Sequence, residues 1–266
     1  MTSLIADRLV LLDVDDAGVG RLRLNRPDAS NGMNIEFLKD FYDALVMVHR
    51  TPQIRVLIIS GEGKNFCAGG DVKTFAEQGE ALPAYLEEAT DWLQKCSQHI
   101  RQLDAPVIAA VHGFAAGGGG FGLVCAADLV VATESAKFMT GATRVAMVPD
   151  FGTTALLPQL VGMRAAMELV LTNRVLSAAE ARDLGIINEV VADGALDARA
   201  YEIAQVIAAG AFQANAAAKH LLWNGIGSAI DASLDIEAKT VSDLGGTRDA
   251  REGLAAVIER RSPNFE

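Results

Sequence analysis

The sequence predicts an α/β fold that ends in a helical tail. Short aliphatic runs, such as VLIIS at 56–60 and PVIAAV at 106–111, alternate with stretches of helical periodicity. Beyond Asp193 the pattern is helical throughout. Half of the 266 residues are apolar but only 6% are aromatic, which describes a globular protein with an aliphatic, alanine-rich core. A chain of this length can bury that core as one large domain, or as one domain with a small appendage.

Along the chain, Leu9 to Asn25 reads as a hairpin in which LVLLDV and VGRLRLN flank the acidic turn DDAG. Asn34 to Arg50 carries Phe37, Leu38, Phe41, Leu45 and Val48 at helical spacing. The VLIIS strand leads through a polar turn, GEGKNFCAGGD, into a long helix centred on 83–104 and then into PVIAAV. The glycine-rich run HGFAAGGGGFG at 112–122 and a short apolar helix follow, with strands expected at DLVVA (128–132) and AKFM (136–139). From Gly152 onward helices dominate, interrupted by a strand-like IINEVV at 186–191, and SAAEA at 177–181 carries a Ser-x-x-Glu capping box. The alanine-rich tail suits either self-association or packing on its own core.

Composition excludes several classes. A net charge of −11 argues against nucleic acid or an anionic membrane surface as partner. Cys67, Cys96 and Cys125 are scattered and lack CxxC spacing, so neither a disulfide framework nor a zinc site is expected, and a reducing cytoplasm is the natural compartment. The N-terminus has acids where a secretory signal would be basic and then apolar. The stretch from Ala105 to Ala127 has the length of a bilayer span, yet its six glycines and His112 fit a buried strand and helix better.

The glycine run raises the question of a ligand. Gly117, Gly119 and Gly122 satisfy GxGxxG, but five residues separate them from the strand and no acid stands about 20 residues beyond, so a dinucleotide site is not expected. A phosphate loop would end in Gly-Lys-Ser/Thr, which is missing. Two readings remain: backbone N–H groups offered to a developing negative charge, or glycines that let a helix pack tightly on a strand.

A second strand-then-glycine unit, VLIISGEGKNFCAGGD, precedes PVIAAVHGFAAGGGG, so two sets of free N–H groups could grip one oxygen from two sides. With NRPDASNGMN at 25–34, FCAGGDVK at 66–73, APVIAAVHGFAAGGGG at 105–120, the long run from Val148 to Val191 and the closing EGLAAVIERRSPNF, the chain resembles the crotonase superfamily of enoyl-CoA hydratases and isomerases over nearly its full length. That resemblance implies a spiral of ββα units over 1–195 holding the acyl-CoA site, and a helical segment over 196–266 that assembles a homotrimer or a dimer of trimers. It implies an acyl-CoA thioester as substrate, with no metal or redox cofactor, because coenzyme A arrives as part of the substrate. By position the oxyanion-hole N–H groups fall on Ala68 and Gly118, and the substrate-binding loop on Ala68, Gly69, Gly70 and Asp71. Arg26 and Lys64 are candidate contacts to CoA phosphates, or solvated surface cations.

The chain departs from the hydratases at the two positions where they carry glutamates, here Phe121 and Ala142. By the same resemblance the acid that remains is Asp150 in VPDFGTT, at a position that matches an active-site aspartate in dienoyl-CoA isomerases, 1,2-epoxyphenylacetyl-CoA isomerases and 4-chlorobenzoyl-CoA dehalogenases. The run from Arg144 to Gly162 is most similar to the epoxide isomerases. The dehalogenases' histidine and tryptophan partners align with Gln94 and Ala142, which ranks that chemistry low. Asp150 also suits a helix N-cap before Gly152 to Leu160. Phe121 and Ala142 should make the pocket apolar and raise the Asp150 carboxyl toward neutrality, which suits a group that takes and returns a proton. The expected activity is acyl-CoA isomerisation. The alternatives are hydration in the broad sense and non-catalytic acyl-CoA binding.

Overall fold

Three short strands occupy the first 24 residues, the third of them with alternating apolar and polar residues. The computed structural model describes residues 1–264, the side chains of 227–233 excepted. β1 (Thr2–Ile5), β2 (Val10–Val14) and β3 (Val19–Leu24) form an antiparallel meander, of which the sequence pattern indicated only the last two strands. The Asp15 carboxylate closes the turn by accepting the Ala17 and Val19 N–H groups at 3.0 and 2.9 Å. α1 (Ile35–His49) starts where the Asn34 side chain accepts the Phe37 N–H at 2.9 Å, and it buries Phe37, Leu38, Phe41, Leu45 and Val48.

β4 (Val56–Gly61) joins β3 in parallel. After α2 (Val72–Glu77) and α3 (Leu82–Gln102) come β5 (Val107–Val111), β6 (Phe114–Ala116), a π-turn over Gly118–Gly122 and α4 (Leu123–Ala126). β7 (Leu129–Thr133), β8 (Lys137–Met139), α5 (Thr153–Val161), α6 (Met163–Thr172), β9 (Leu176–Ser177), α7 (Ala178–Asp183) and β10 (Glu189–Val191) complete the core. IINEVV is a strand only in its second half. Ser177 and Glu180 form the full capping box. The tail is α8 (Leu196–Ala209), α9 (Phe212–Gly245) and α10 (Arg248–Glu259).

A seven-stranded sheet runs β1-β2-β3-β4-β5-β7-β10, and β6-β8-β9 form a second one. The chain steps from the large sheet to the small one between β5 and β6 and again between β7 and β8, with a helix after each pair. It therefore advances as the expected spiral of ββα units. One face of the large sheet packs Leu12, Leu22, Leu57 and Val107 against Phe37 and Phe41. On the other face Ala200 and Ala204 of α8 lie on Val56, Ile58 and Val131.

The tail is fastened to this core through a buried cation. Lys219 on α9 donates to the Ile100 and Ala105 carbonyls at 3.0 and 3.1 Å and pairs with Asp128 at 2.8 Å. Trp223 donates its Nε1–H to the same carboxylate at 2.6 Å. Burial outweighs the Asp128 attraction and lowers the Lys219 ammonium from its usual range. Among the described residues no helix is long and apolar enough to cross a membrane, and the 105–127 stretch is the largely buried run from β5 to α4. All three cysteines are free and buried, and burial pushes the Cys67 and Cys125 thiols up to about 12.

Candidate active site

The first wall of the site is the turn after β4. Asn31, fully buried, donates from Nδ2 to the Glu62, Asn65 and Phe66 carbonyls at 2.9, 2.9 and 3.1 Å, which pins that turn against the NRPDASNGMN loop. Cys67 then pairs with β6: its N–H donates to Phe114 O and its carbonyl accepts from Ala116. Met33 bridges the next three residues, donating to Gly69 O at 2.8 Å and accepting from the Asp71 N–H at 3.0 Å. Backbone N–H groups alternate along an extended segment, so the Gly70 N–H points away from Met33.

This corrects the expectation for Ala68, whose N–H is spent on Ser30 O at 3.0 Å. Gly70, two residues on, lines the cavity, and among the described residues no acceptor takes its N–H.

The second wall is the glycine run. Gly117, at φ 59°, turns the chain out of β6 into the π-turn, whose first N–H groups have no intrahelical acceptor. A β-carbon at Gly120 would stand 2.1 Å from Cys67 O, so the run lies flat on the first loop. Gly118 lines the same cavity as Gly70, and among the described residues no acceptor takes its N–H. Both readings of the glycines therefore coexist: close packing places the donors.

The third component is Asp150. A β-carbon on Gly118 would lie 1.2 Å from its Oδ1, so the carboxyl rests directly on the Gly118 backbone. Burial, then the negative charge of Glu237, raise the carboxyl to about 7, against the opposing hydrogen bond from its own N–H. Asp150 does not cap α5 with its side chain. The N-cap is Gly152, and Glu237 on α9 takes the cap's role, accepting the Gly152 and Thr154 N–H groups at 2.9 and 3.1 Å and the Thr154 hydroxyl. Nothing near Asp150 in sequence points to Glu237, which lies 83 residues from Thr154.

These parts enclose a cavity of about 620 Å³. Leu38, Phe75, Leu86, Leu93 and Val241 supply apolar walls, Gly70, Gly118 and Asp150 a polar end, and Arg144, Arg260 and Arg261 cationic positions. Asp150 is the one carboxylate among the described lining residues. Ala68 and Ala142 also line it, whereas Gly69, Asp71 and Phe121 do not.

Gly69, at φ 99°, lets the two loops touch at Ala116. Asp71 caps α2 and pairs with Arg26 at 2.7 Å. Burial alone would raise its carboxyl, but the Thr74 hydroxyl and the Arg26 guanidinium hold it below the usual range. Phe121 is 1% exposed, sits in the π-turn and belongs to the main core.

Arg26 is held by Asp71 and by Gly32 O, Lys64 lines a different cleft beside His112, and Gln94 donates to Leu234 O. The cavity also crosses the expected division at 195, since Val241, Ala256 and the residues from Arg260 to Pro263 belong to the tail.

Comparisons with known proteins cover nearly the whole chain. The Enoyl-CoA hydratase/isomerase family model matches residues 15–266. The chain is 36% identical over 245 residues to crotonyl-CoA hydratase of Syntrophomonas wolfei, covering 92% of this chain and 93% of that one. It is 34% identical over 252 residues to 1,2-epoxyphenylacetyl-CoA isomerase of Escherichia coli, covering 94% and 95%. The crystal structure of an enoyl-CoA hydratase from Mycobacterium avium subsp. paratuberculosis superposes with a TM-score of 0.88 at 29% identity, covering 98% of this chain and 99% of that one. The chain belongs to the enoyl-CoA hydratase/isomerase family, the crotonase superfamily.

Proposed function

We propose that the protein is an acyl-CoA isomerase in which Asp150 transfers the proton and the N–H groups of Gly70 and Gly118 hold the enolate. The observation that carries this reading is the Asp150 carboxyl, seated on Gly118 as the one described carboxylate of the cavity and raised to about 7. A carboxyl that titrates near neutrality serves equally as base and acid.

In the first step the Asp150 carboxylate takes a proton from a carbon of the acyl chain, and the C–H electron pair moves onto the thioester oxygen as the enolate forms. Two backbone dipoles stabilise that charge without reorganising, each worth about 3 kcal/mol in the transition state. Protonated Asp150 then returns the proton to a different carbon as the double bond re-forms. Hydration by the two-glutamate route would need an acid at 121, where Phe121 faces the core, and one at 142, where alanine stands.

Coenzyme A enters with the substrate. Arg260, at the left-handed end of α10, is read as a contact to its phosphates, since neighbouring Arg261 is engaged by Glu252 and Glu259. A homotrimer is supported by the exposed apolar stripe of Met163, Met167 and Leu171 on α6. A reducing cytoplasm is supported by the three free thiols.

The test incubates a panel of unsaturated acyl-CoAs in deuterated water with wild type and Asp150→Asn. The expected result is bond migration with deuterium uptake, reduced at least about 100-fold in the variant while acyl-CoA binding is retained. Hydration as the main reaction, or full turnover by Asp150→Asn, refutes the reading.

A further inference from the structure

Two residues in the left-handed region separate Asp150 from α5: Phe151 at φ 60° and Gly152 at φ 82°. A phenylalanine is strained there, and such a turn persists only where its surroundings over-determine it. Three anchors do so. Ser97 on α3 donates its hydroxyl to Phe151 O at 2.9 Å. Thr153 donates its N–H and hydroxyl back to Asp150 O at 3.0 and 2.6 Å. Glu237, 5% exposed on α9, accepts the Gly152 and Thr154 N–H groups and the Thr154 hydroxyl.

A neutral side chain could cap α5 through one oxygen, whereas Glu237 uses both of its oxygens. Burying a carboxylate beside a second carboxyl is costly, and the charge has an effect that a neutral cap lacks. We propose that Glu237 is a positioning residue for Asp150: its carboxylate closes the strained turn that seats Asp150 on Gly118. Its negative charge also acts on the Asp150 carboxyl across that turn. This inference rests on the reading of Asp150 as the proton-transfer group.

The other charged groups nearby do not supply that effect. α5 carries no titratable side chain, and the π-turn with α4 carries only Cys125. On α3, Asp91 and Lys95 pair on the surface at 2.7 Å, Cys96 is a buried thiol, and buried Arg101 donates to Ser97 O at 3.3 Å. On α6, Arg164 and Glu168 are exposed, as are Asp235 and Lys239 on α9. Arg144, Arg260 and Arg261 line the cavity itself. Among the described residues, Glu237 is the charge that bears on the Asp150 carboxyl, second only to burial.

The experiment reads Asp150 without relying on turnover. Carboxyl infrared absorption is followed against pH, with Asp150→Asn subtracted to isolate one group, in wild type, Glu237→Gln and Glu237→Asp. Glu237→Gln keeps the shape and one acceptor but loses the charge, so the Asp150 midpoint should fall by about one pH unit or more. The acid limb of kcat/KM should move with it while KM changes less than about twofold. Glu237→Asp keeps the charge but shortens the reach, so the midpoint should stay near that of wild type while turnover falls about tenfold or more.

An unmoved midpoint in folded Glu237→Gln overturns the inference. So does undiminished turnover in Glu237→Asp, which decides the matter if Glu237→Gln does not fold. Full activity in Asp150→Asn would instead sink the functional reading, and the infrared titration would still report on Glu237.

Discussion

The Asp150 carboxyl occupies the space that a side chain on Gly118 would need, since a β-carbon there would lie 1.2 Å from Oδ1. One contact thus places the proposed base and a proposed backbone donor side by side. Gly118→Ala must displace Asp150, and the expected outcome is a folded protein with isomerase kcat lowered about 100-fold or more. Near-wild-type turnover would show that the contact is dispensable.

The raised Asp150 carboxyl links activity and stability with opposite signs. Its folded value of about 7 lies above the ordinary one, so between about pH 4 and 7 the folded state holds a proton that the unfolded state has released. That contribution is complete below the window and is lost as pH rises through 7, where the base becomes active. Urea unfolding at pH 5 and 8 should show the slope, and Asn at position 150 should flatten it, adding up to about 4 kcal/mol at pH 8.

The two positions where hydratases carry acids should respond differently to one. Phe121→Glu buries an unpaired carboxyl in the core, so a loss of several kcal/mol, or insoluble protein, is expected. Ala142→Glu adds a carboxyl to a half-buried cavity wall and should cost about 1 kcal/mol or less. Thermal unfolding separates the two outcomes.

Lys219→Met would strand Asp128 beneath Trp223 and leave the Ile100 and Ala105 carbonyls without their donor. A loss of about 3–5 kcal/mol is expected by denaturant titration. Activity should fall in parallel with α9 docking, because α9 carries Glu237 and Val241 into the site.

Arg260→Gln should raise KM for acyl-CoA about fivefold or more and leave kcat unchanged, since a phosphate contact binds ground and transition states equally. Acyl-pantetheine, which lacks the nucleotide phosphates, should show no such difference.

The site was legible where its logic is local. Gly118 and Asp150 are singled out by the resemblance of the short stretches AAGGGG and VPDFGTT to family motifs, and both line the cavity. Gly70 could not be separated from Ala68, because which N–H faces the cavity depends on a bridge to Met33 more than thirty residues earlier. Phe121 is placed at the pocket by its match to a hydratase glutamate position, yet its ring belongs to the main core and does not line the cavity. Glu237 sits mid-helix in a long tail whose pattern indicates only packing, and its partner is a backbone turn that leaves no mark on composition. The fold was read more fully: the apolar patterns of β2 and β3 and the aliphatic runs of β4 and β5 stand out in the sequence, whereas β1 is a short, largely exposed edge strand with little apolar pattern.

The fastening of the catalytic turn from α9 has a consequence for the order in which the molecule is made. A ribosome delivers the strands, both glycine loops and Asp150 well before it delivers Glu237 and the last helix. Until those emerge, the Gly152 and Thr154 N–H groups lack their acceptor and the cavity lacks a wall. A nascent or prematurely released chain therefore lacks the contacts that close the turn behind Asp150, and those contacts form only when synthesis is almost complete.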